Sequence, residues 1–521
     1  MLDYLIKNSA IIDGTGNEPF EANLGIEANT IVFLGDDSPK AKYEIDATGL
    51  FTCPGLIDTH AHSEFTLLAD GRAEGKLSQG VTTEINGNCG LSAAPLLGEA
   101  FERRQADMNE LGIKERWHTF DEYFSLLEKK GIAINFATLC GHGNIRGSVV
   151  GYKNIPADKN EQIKMNALLE DAMNSGSRGL STGLIYPPGI FSNTDELVEL
   201  AKTAASKGGI YASHMRSEGD RLIESIDETI EIGRKSGIPV HISHIKTAGE
   251  RNWMKADDAI SAIEEAKKYG IRLTCDRYPY IASSTDLDTV LPSWVYEGGY
   301  EDELKRLKSP DTLKKIKAEL SANDEKYWGK IYVATTVKEH NRWMEGESIS
   351  AIAAKLGKRP DDALIEILID EEVRTSAVFF SMNEDNLRKF LRLPYSMIGS
   401  DSSVRSFTGV TSSGKPHPRG FGSFPKVIAT YARDEKLFSL QEAIKRMTSL
   451  SAETFKLQKR GLLKTGFFAD ILVFDYNKIR DTATFKQPFT KAEGVEHVFV
   501  NGIHALNHGE FTGSLSGRIL R

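Results

Sequence analysis

The sequence predicts an α/β protein, a TIM-type (β/α)8 barrel that carries a small β-sandwich or β-barrel domain formed from both termini. Three observations support this architecture. Apolar runs of β type alternate with helical segments in the middle of the chain, several of those runs end in a histidine or an aspartate, and alternating runs with Gly, Asn and Asp turns occupy both ends. Strands that alternate with helices are typical of parallel βα units, and barrels of such units place functional residues at the strand ends.

The two ends of the chain share the pattern of a small antiparallel sheet. Residues 1–54 alternate short apolar runs with turn residues, and the segments 470–475 and 495–502 show the same pattern. Short alternating runs bounded by turn residues are typical of hairpins. We therefore expect one small β domain in two pieces, residues 1–54 and 456–521, around a hydrolase barrel that spans residues 55–455.

The central segment contains more strand candidates than a barrel needs. They alternate with helical segments such as 194–207, 220–236 and 255–269. The candidates are 55–62, 82–86, 135–141, 179–183, 210–214, 239–244, 272–276, 377–381 and 396–401. A barrel of this type has eight strands, so one candidate is surplus, and the pattern does not identify it. The long interval after Tyr280 indicates an insertion over about residues 283–350, either a mobile lid or a packed surface subdomain.

Composition and charge exclude several classes of protein. The chain has 521 residues, 40% of them hydrophobic and 26% charged, as in ordinary globular proteins. Its net charge of -9 argues against a nucleic-acid partner. No run approaches membrane-spanning length and the first residues lack a signal-peptide pattern, so we expect no membrane partner. The four cysteines, Cys53, Cys89, Cys140 and Cys275, are scattered without a Cys-x-x-Cys pair, which favours a reducing cytoplasm.

A short stretch at the start of the central segment offers a pair of metal ligands. In GLIDTHAH, residues 55–62, an apolar run ends in His60 and His62. On a strand this spacing puts both imidazoles on one face, where each can offer a ring nitrogen to a zinc-like cation. Two hydrogen-bonded histidines at a strand end would show the same pattern, so both interpretations stay open for this pair alone.

Three further polar residues stand where apolar runs end. His214, His244 and Asp401 each close a strand candidate, and we expect their side chains at the barrel mouth. His241 and His244 are three residues apart and point to opposite strand faces, so only one of them faces the mouth. We select His244 because it stands at the strand end. Asp401 can bind metal or carry protons, or it can cap the following helix.

A cysteine and a series of short motifs accompany these candidates. Cys89, in EINGNCG at 84–90, lies beyond the second strand candidate. The other motifs are GHGNIR at 141–146, GLSTGL at 179–184, SHMR at 213–216, ISHIK at 242–246, DRYPY at 276–280, GSD at 399–401, PHPRG at 416–420 and GFFADI at 466–471. Together they resemble the N-acyl-D-amino-acid deacylases (D-aminoacylases), a branch of the amidohydrolase superfamily. The resemblance covers nearly the whole chain, and the 283–350 insertion falls where these deacylases carry an extra loop.

The resemblance implies a zinc enzyme with one tightly bound metal and a second, often weaker position. The ligands that it implies are Cys89, His214 and His244 for the first metal and His60, His62 and Asp401 for the second. A thiolate and two neutral imidazoles fill three tetrahedral positions and leave the fourth open, as in catalytic zinc sites. Cys140 and Cys275 fit small buried thiols. His142 fits a histidine bonded within a loop, with orientation of a metal ligand as the alternative.

The open metal position makes hydrolysis of an amide feasible. Zinc lowers the pKa of its water to about 7, and a carboxylate can carry the water's proton to the leaving amine, a role for which Asp401 is our candidate. The substrate's carboxylate needs fixed donors. Lys246 lies two residues beyond a ligand candidate on the same strand face, and the family resemblance also supports Tyr278. Arg405 and Arg419 are further candidates, with solvated surface roles as the alternative.

We therefore expect zinc-dependent hydrolysis of small N-acyl-D-amino acids to a D-amino acid and a carboxylate, with the D preference taken from the resemblance. One alternative is a cyclic-amide hydrolase of the dihydroorotase or hydantoinase kind. Those enzymes commonly bridge two metals with a carboxylated lysine, and no lysine ends the fourth strand candidate, 179–183. A non-catalytic barrel scaffold is the other alternative, although a scaffold has no physical need for six converging ligands. The accepted side chain, the acyl group and the oligomeric state stay open.

Overall fold

The computed structural model describes residues 1–521, and its strands form four sheets. In chain order the strands are β1 (Leu2–Ile11), β2 (Phe20–Glu27), β3 (Thr30–Gly35), β4 (Ala41–Asp46), β5 (Phe51–Pro54), β6 (Leu56–Asp58), β7 (Val81–Asn86), β8 (Asn135–Thr138), β9 (Cys140–Gly141), β10 (Gly179–Gly183), β11 (Ile210–His214), β12 (Val240–Ile242), β13 (Leu273–Arg277), β14 (Ser283–Asp286), β15 (Ile331–Thr335), β16 (Ser376–Phe379), β17 (Ser396–Ile398), β18 (Ile471–Phe474), β19 (Val495–Val500), β20 (Ile503–Asn507) and β21 (Glu510–Phe511).

The helices separate the central strands. They are α1 (Glu64–Ala69), α2 (Glu74–Leu77), α3 (Gly98–Glu110), α4 (Phe120–Lys130), α5 (His142–Val149), α6 (Lys159–Asn174), α7 (Thr194–Ser206), α8 (Leu222–Ser236), α9 (Ala256–Lys268), α10 (Tyr300–Lys308), α11 (Pro310–Leu320), α12 (Glu325–Trp328), α13 (Ile349–Leu356), α14 (Pro360–Asp370), α15 (Glu384–Arg392), α16 (Arg419–Lys426), α17 (Leu440–Arg446) and α18 (Ser449–Thr454). α8 shows why such segments are helical, since Leu222 and Ile226 bury one face and Gly237 ends the helix at a φ of 72°. None of the helices combines the length and apolar character that crossing a lipid bilayer requires.

Both ends of the chain contribute strands to one nine-stranded sheet. Its order is β21-β20-β19-β18-β5-β1-β2-β3, with β4 beside β1. β5 pairs antiparallel with β18, so that Pro54 lies opposite Ile471. Alternate apolar residues, such as Leu24 and Ile26 of β2, are fully buried on one face. The two terminal patterns in the sequence therefore meet in a single sheet.

The parallel strands form two sheets that follow each other along the chain. β6, β7 and β8 form one, and β9 to β13 with β17 form the other. β6 and β17 also lie side by side, because the Thr59 N–H donates to the Ile398 carbonyl at 3.3 Å and the Asp401 N–H donates to the His60 carbonyl at 2.7 Å. The first and last parallel strands thus carry His60 and Asp401 to the same place.

The surplus strand candidate, 377–381, lies in a separate antiparallel sheet. It is β16 (Ser376–Phe379), and it pairs with β14 and β15. The segment has its own apolar core of 19 buried residues, from Leu287 to Ala377. This segment, the excursion between β13 and β17, is packed and extends past residue 350, the predicted end of the insertion. An apolar β-type run has the same local pattern in either sheet, which is why the sequence could not separate this strand from the others.

Candidate metal centre and cavity

Four of the predicted metal ligands meet where the parallel strands end. The ligand atoms of His60, Cys89, His244 and Asp401 all lie within 4.8 Å of one another. Cys89 Sγ is 3.2 Å from His60 Nε2 and 3.3 Å from His244 Nε2. Asp401 Oδ1 is 3.6 Å from His60 Nε2. Donor atoms at these separations could hold a metal ion between them.

The other two predicted ligands border the same space. His62 Nε2 lies 3.2 Å from Asp401 Oδ1. The His214 ring packs against the His244 ring with centroids 4.4 Å apart, and neither ring nitrogen of the buried His214 has a hydrogen-bond partner. A buried imidazole with two unpartnered nitrogens is costly unless a ligand satisfies it. The structure therefore brings all six predicted ligands together.

Local backbone geometry turns three of these side chains into the site. Cys89, His244 and Asp401 have φ values of 53°, 36° and 52°, in the left-handed region. Residues other than glycine rarely adopt this conformation, and strain of this kind clusters at functional sites. Each of the three follows the end of a strand, so the turn redirects the side chain towards the shared mouth.

Neighbouring positive charges favour the anionic forms of two predicted ligands, Cys89 and Asp401. Burial opposes ionisation of Cys89, but the positive charges of His60 and His244 outweigh it and hold the pKa of the thiol well below its usual value. Burial likewise opposes ionisation of Asp401, and the Arg419 guanidinium, with Nη1 at 2.8 Å from Asp401 Oδ2, holds the pKa of this carboxyl well below its usual range. A thiolate, several imidazoles and a carboxylate are a donor set that suits zinc.

A buried aspartate orients two of the imidazoles. Asp276 Oδ2 lies 3.2 Å from His60 Nδ1 and 2.8 Å from His241 Nε2, and its Oδ1 accepts the His244 backbone N–H at 2.6 Å. A ligand histidine whose Nδ1–H is held by a carboxylate presents Nε2 to the metal. His241 Nδ1 also bonds to the Thr274 hydroxyl at 2.9 Å, so both ring nitrogens of His241 have partners within the fold.

Glu218 gives His244 the same kind of support. Its Oε1 lies 2.8 Å from His244 Nδ1 and accepts a hydrogen bond from Lys246. Its Oε2 is 3.6 Å from His214 Nε2. Burial opposes ionisation of Glu218, but Lys246 holds the pKa of this carboxyl well below its usual range. Glu218 is therefore an anion that contacts two predicted ligands and a predicted substrate donor.

A second buried charge cluster, which we call the Lys76 network, ties the strand ends together. Lys76 Nζ, which is fully buried, donates to Asp58 and Glu84 at 2.6 Å each and to the Ser400 hydroxyl at 3.0 Å. Asp58 Oδ1 in turn accepts the N–H of Ser400 at 2.8 Å and that of His60 at 3.2 Å. The network thus fixes the backbone next to two predicted ligands.

A cavity of about 640 Å³ opens from the metal centre. The predicted site residues that line it are His62, Cys89, His214, His244, Lys246, Asp401 and Arg419. Arg419 Nη1 contacts Asp401 and Nη2 donates to the Ser284 carbonyl at 3.1 Å, while Nε has no hydrogen-bond partner, so this buried guanidinium keeps one donor for a ligand. The cavity continues past Tyr186 to residues of α3, β14 and α10.

The two remaining predicted substrate residues do not line this cavity. Tyr278 is fully buried, and its ring packs against the guanidinium groups of Arg277 at 4.2 Å and Arg419 at 4.7 Å. Arg405 donates to the carbonyls of Thr411 and Ser413 at 3.3 and 3.1 Å. Tyr278 therefore lies behind Arg419. Arg405 lies outside the cavity lining, where its Nη1 holds a loop through two backbone carbonyls, and a substrate role for it stays a prediction.

Sequence reasoning missed three charged residues that organise the centre. Glu218 follows His214 by four residues, so proximity to a ligand candidate was an available signal. Asp276 lies in the quoted motif DRYPY but inside strand β13 rather than after its end. Lys76 lies on the short helix α2, where no pattern distinguishes it from a solvated lysine.

The histidine of the GHGNIR motif lies outside the cavity lining. His142 Nε2 bonds to Glu196 at 2.8 Å.

Comparisons with known proteins agree with this geometry. A family model described as "Amidohydrolase family" matches residues 43–503. The chain is 34% identical to a D-aminoacylase of Alcaligenes xylosoxydans xylosoxydans, over 99% of this chain and 97% of that protein. It is 33% identical to an N-acyl-D-aspartate deacylase of the same organism, over 98% and 93%. A solved N-acyl-D-glutamate deacylase from Bordetella bronchiseptica, complexed with zinc and a phosphonate inhibitor, has a TM-score of 0.84 at 30% identity and covers 100% and 99%. The resemblance predicted from the motifs is confirmed.

Proposed function

The chain belongs to the amidohydrolase family, and from this premise we propose that it is a zinc-dependent N-acyl-D-amino-acid deacylase. It hydrolyses the amide bond of an N-acyl-D-amino acid to a D-amino acid and a carboxylate. The observation that carries the proposal is the convergence, on one wall of a cavity, of a Cys89 thiolate, the metal-ligating imidazoles, Asp401 and the donors Lys246 and Arg419. Proteins of similar sequence that are named D-aminoacylase and N-acyl-D-aspartate deacylase support it.

The residues of the chain divide the zinc ligation between a tight and a weaker position. Cys89, His214 and His244 would hold the tight one, and His60, His62 and Asp401 would surround the weaker one, as the family resemblance implies. When bound, zinc supplies Lewis acidity towards water and towards an amide carbonyl. The thiolate makes the first position the more zinc-selective of the two.

Asp401 is the proton carrier in this mechanism. It is ionised because Arg419 lies 2.8 Å from its Oδ2, and it lines the cavity next to His62. A carboxylate there takes the proton of the attacking water and delivers it to the nitrogen of the leaving amine. Its second oxygen keeps the contact with Arg419, which holds the carboxylate in place between the two proton transfers.

Lys246 and Arg419 bind the substrate's α-carboxylate. Both are buried side chains that line the cavity. The Lys246 ammonium carries three N–H donors and contacts Glu218 and His244 Nδ1, and Arg419 Nε has no hydrogen-bond partner, so each side chain keeps a donor for the substrate. Tyr278 supports Arg419 through its ring. A cyclic-amide hydrolase is less well supported, because β10 ends at Gly183 and offers no lysine to bridge two metals.

We also propose that the parallel strands close into a TIM-type barrel. The hydrogen bonds between Thr59 and Ile398 and between Asp401 and His60 support closure between β6 and β17, and β8 leads directly into β9. A closed barrel puts every strand end at one mouth. The domain boundaries at 54/55 and 455/456 stay predictions. A cytoplasmic location also stays a prediction, based on four cysteines that are all free.

Metal analysis of two cysteine variants tests the centre. Elemental analysis should find about one zinc per chain in the wild type and in Cys140→Ala, and almost none in Cys89→Ala. Cys140 is the matched control because it is also a free cysteine, is fully buried and lies in one of the parallel strands, β9. Full activity in metal-free protein would end this mechanism.

Stereochemistry and the carboxylate requirement test the substrate. N-acetyl-D-leucine should be hydrolysed much faster than N-acetyl-L-leucine, since inverting Cα breaks one of three fixed contacts, and misplacing the carbonyl by about 1 Å can cost about a hundredfold in rate. The amide that lacks the carboxylate should be a poor substrate for the wild type, and Lys246→Ala should lose this discrimination. A preference for the L form would overturn the deacylase assignment.

A further inference from the structure

The cavity extends from the metal centre to a second set of charged side chains. The Tyr186 ring packs on His214 with centroids 5.1 Å apart, and its hydroxyl lies 2.9 Å from the Thr285 hydroxyl. Asp286 follows Thr285 at the end of β14 and also lines the cavity. Asp288 and Glu303 line the same part. We call Asp286, Asp288 and Glu303 the acidic end of the cavity.

Two carboxylates of the acidic end are buried, and each has one oxygen without a hydrogen-bond partner. Asp288 is 8% exposed and Glu303 is 1% exposed, and Asp288 Oδ1 and Glu303 Oε1 accept no hydrogen bond. An unpaired buried charge is strongly unfavourable. Burial raises the pKa of Glu303 to about 8 with a further contribution from the negative charge of Asp286, although the positive charge of Arg103 opposes the shift. Burial and Asp286 raise the pKa of Asp288 in the same way, again against Arg103. These carboxylates therefore need a proton or an external cation.

The protein's own cations offset the cost of these buried carboxylates only in part. Arg103 lines the cavity with its guanidinium 4.6 Å from the Tyr152 ring centroid and 3.6 Å from that of Tyr300, but no ion pair joins it to the acidic end. Arg104 is paired with Asp107 at 2.9 Å. Three carboxylates thus face one uncommitted guanidinium. The tyrosine rings beside them offer faces that attract a further cation.

We propose that the acidic end binds a cationic terminus of the substrate, an alkylammonium or guanidinium group carried by the amino-acid side chain or by the acyl group. This inference rests on the proposed deacylase function. A cation there gives Asp288 and Glu303 the donors that they lack. A substrate with a second carboxylate would place that negative charge next to Asp286, Asp288 and Glu303. An apolar terminus would leave Asp288 and Glu303 without the donors that they lack.

Matched substrates test the side-chain source. N-acetyl-D-lysine and N-acetyl-D-norleucine differ mainly in the terminal ammonium group. The expected kcat/KM of the lysine substrate is at least about tenfold higher, the effect of one charge-assisted hydrogen bond. The double variant Asp288→Asn, Glu303→Gln should bring the ratio close to one. Asp302→Asn is the control, because Asp302 lies on the same helix but pairs with Lys305 at the surface.

A second pair tests the acyl source. Nα-(6-aminohexanoyl)-D-alanine and Nα-hexanoyl-D-alanine differ by a terminal ammonium group on the acyl chain. A preference for the cationic member of either pair, lost in the double variant, supports the inference and identifies the source. Equal or lower rates for the cationic member of both pairs overturn it.

Calorimetric binding separates this inference from the proposed function. N-acetyl-D-lysine and N-acetyl-D-norleucine are titrated into the wild type and the double variant, with thermal unfolding as the check that each variant folds. If neither compound is hydrolysed, the deacylase proposal fails. Tighter binding of the lysine compound by the wild type alone still supports the acidic end, and equal binding in both proteins overturns it.

Discussion

Buried carboxylates occur in two regions of this protein, and their surroundings differ. In the Lys76 network, Asp58 and Glu84 each lie 2.6 Å from one buried ammonium group. At the acidic end of the cavity, Asp288 and Glu303 are buried without a hydrogen-bond partner on Oδ1 and Oε1. The first region joins strand ends whose neighbours are predicted metal ligands, and the second lies on the packed excursion between β13 and β17.

The difference shows how pairing relates to role. A fully paired buried cluster is rigid, and removing one partner leaves an uncompensated charge, so such a cluster suits a scaffold. An unpaired cluster costs stability until a ligand completes it, so it suits a binding site. Asp401 is a third case, because it is paired with Arg419 and still faces the cavity.

The largest expected effect belongs to Asp401. Asp401→Asn keeps the shape of the side chain and removes the proton acceptor, so we expect kcat to fall by about 10²- to 10⁴-fold. Steady-state kinetics with N-acetyl-D-leucine measures this effect, and calorimetry should show that the variant still binds the substrate. A kcat near that of the wild type would assign Asp401 to capping or packing instead.

Removing the cation of the paired cluster should destabilise the fold. Lys76→Met leaves Asp58 and Glu84 buried without their counter-ion, which should lower the free energy of unfolding by about 3–5 kcal/mol. Denaturant titration measures it. The control is Lys7→Met, which breaks an exposed pair with Glu44 and should cost at most about 1 kcal/mol. Equal effects of the two substitutions would contradict the scaffold role of Lys76.

The unpaired cluster should respond to pH in a defined direction. The pKa of Glu303 is raised from 4.5 to about 8, chiefly by burial, so between these values the folded state binds more protons than the unfolded state. Its contribution to the free energy of unfolding therefore falls as pH rises from about 4.5 to about 8. Glu303→Gln should flatten this dependence in denaturant titrations at several pH values. An unchanged slope would show that Glu303 has a partner in solution.

The smallest expected effect separates the two arginine candidates. Arg405→Ala should change kcat/KM only a few-fold, because its guanidinium bonds to the carbonyls of Thr411 and Ser413 outside the cavity. Arg419→Ala should cost roughly tenfold or more, the loss of one charge-assisted contact. Kinetics of the two variants side by side decides between them, and a larger loss in Arg405→Ala would restore Arg405 to the substrate site.

The sequence alone determined the residues that meet at the metal centre. Five of them, His60, His62, His214, His244 and Asp401, were identified because each stands at the end of an apolar run. Cys89 was identified through the resemblance to the N-acyl-D-amino-acid deacylases. The local sequence is enough for such a prediction. An alternation of period two shows where a strand runs and which face each side chain is on, and turn residues show where the strand ends. The same kind of local pattern predicted strands at both ends of the chain, and these strands lie in one sheet.

Only the tertiary structure decided which groups pair with which. β16 carries a strand pattern like those of the parallel sheets but pairs with β14 and β15, because partner choice depends on packing. Lys76 bonds to Ser400, and Arg419 contacts Asp401, because the fold brings together segments from different parts of the chain. The spacing of residues in the sequence does not show these contacts. The unpaired state of Asp288 and Glu303 is likewise a tertiary property, since it follows from which cations the fold places within reach of them.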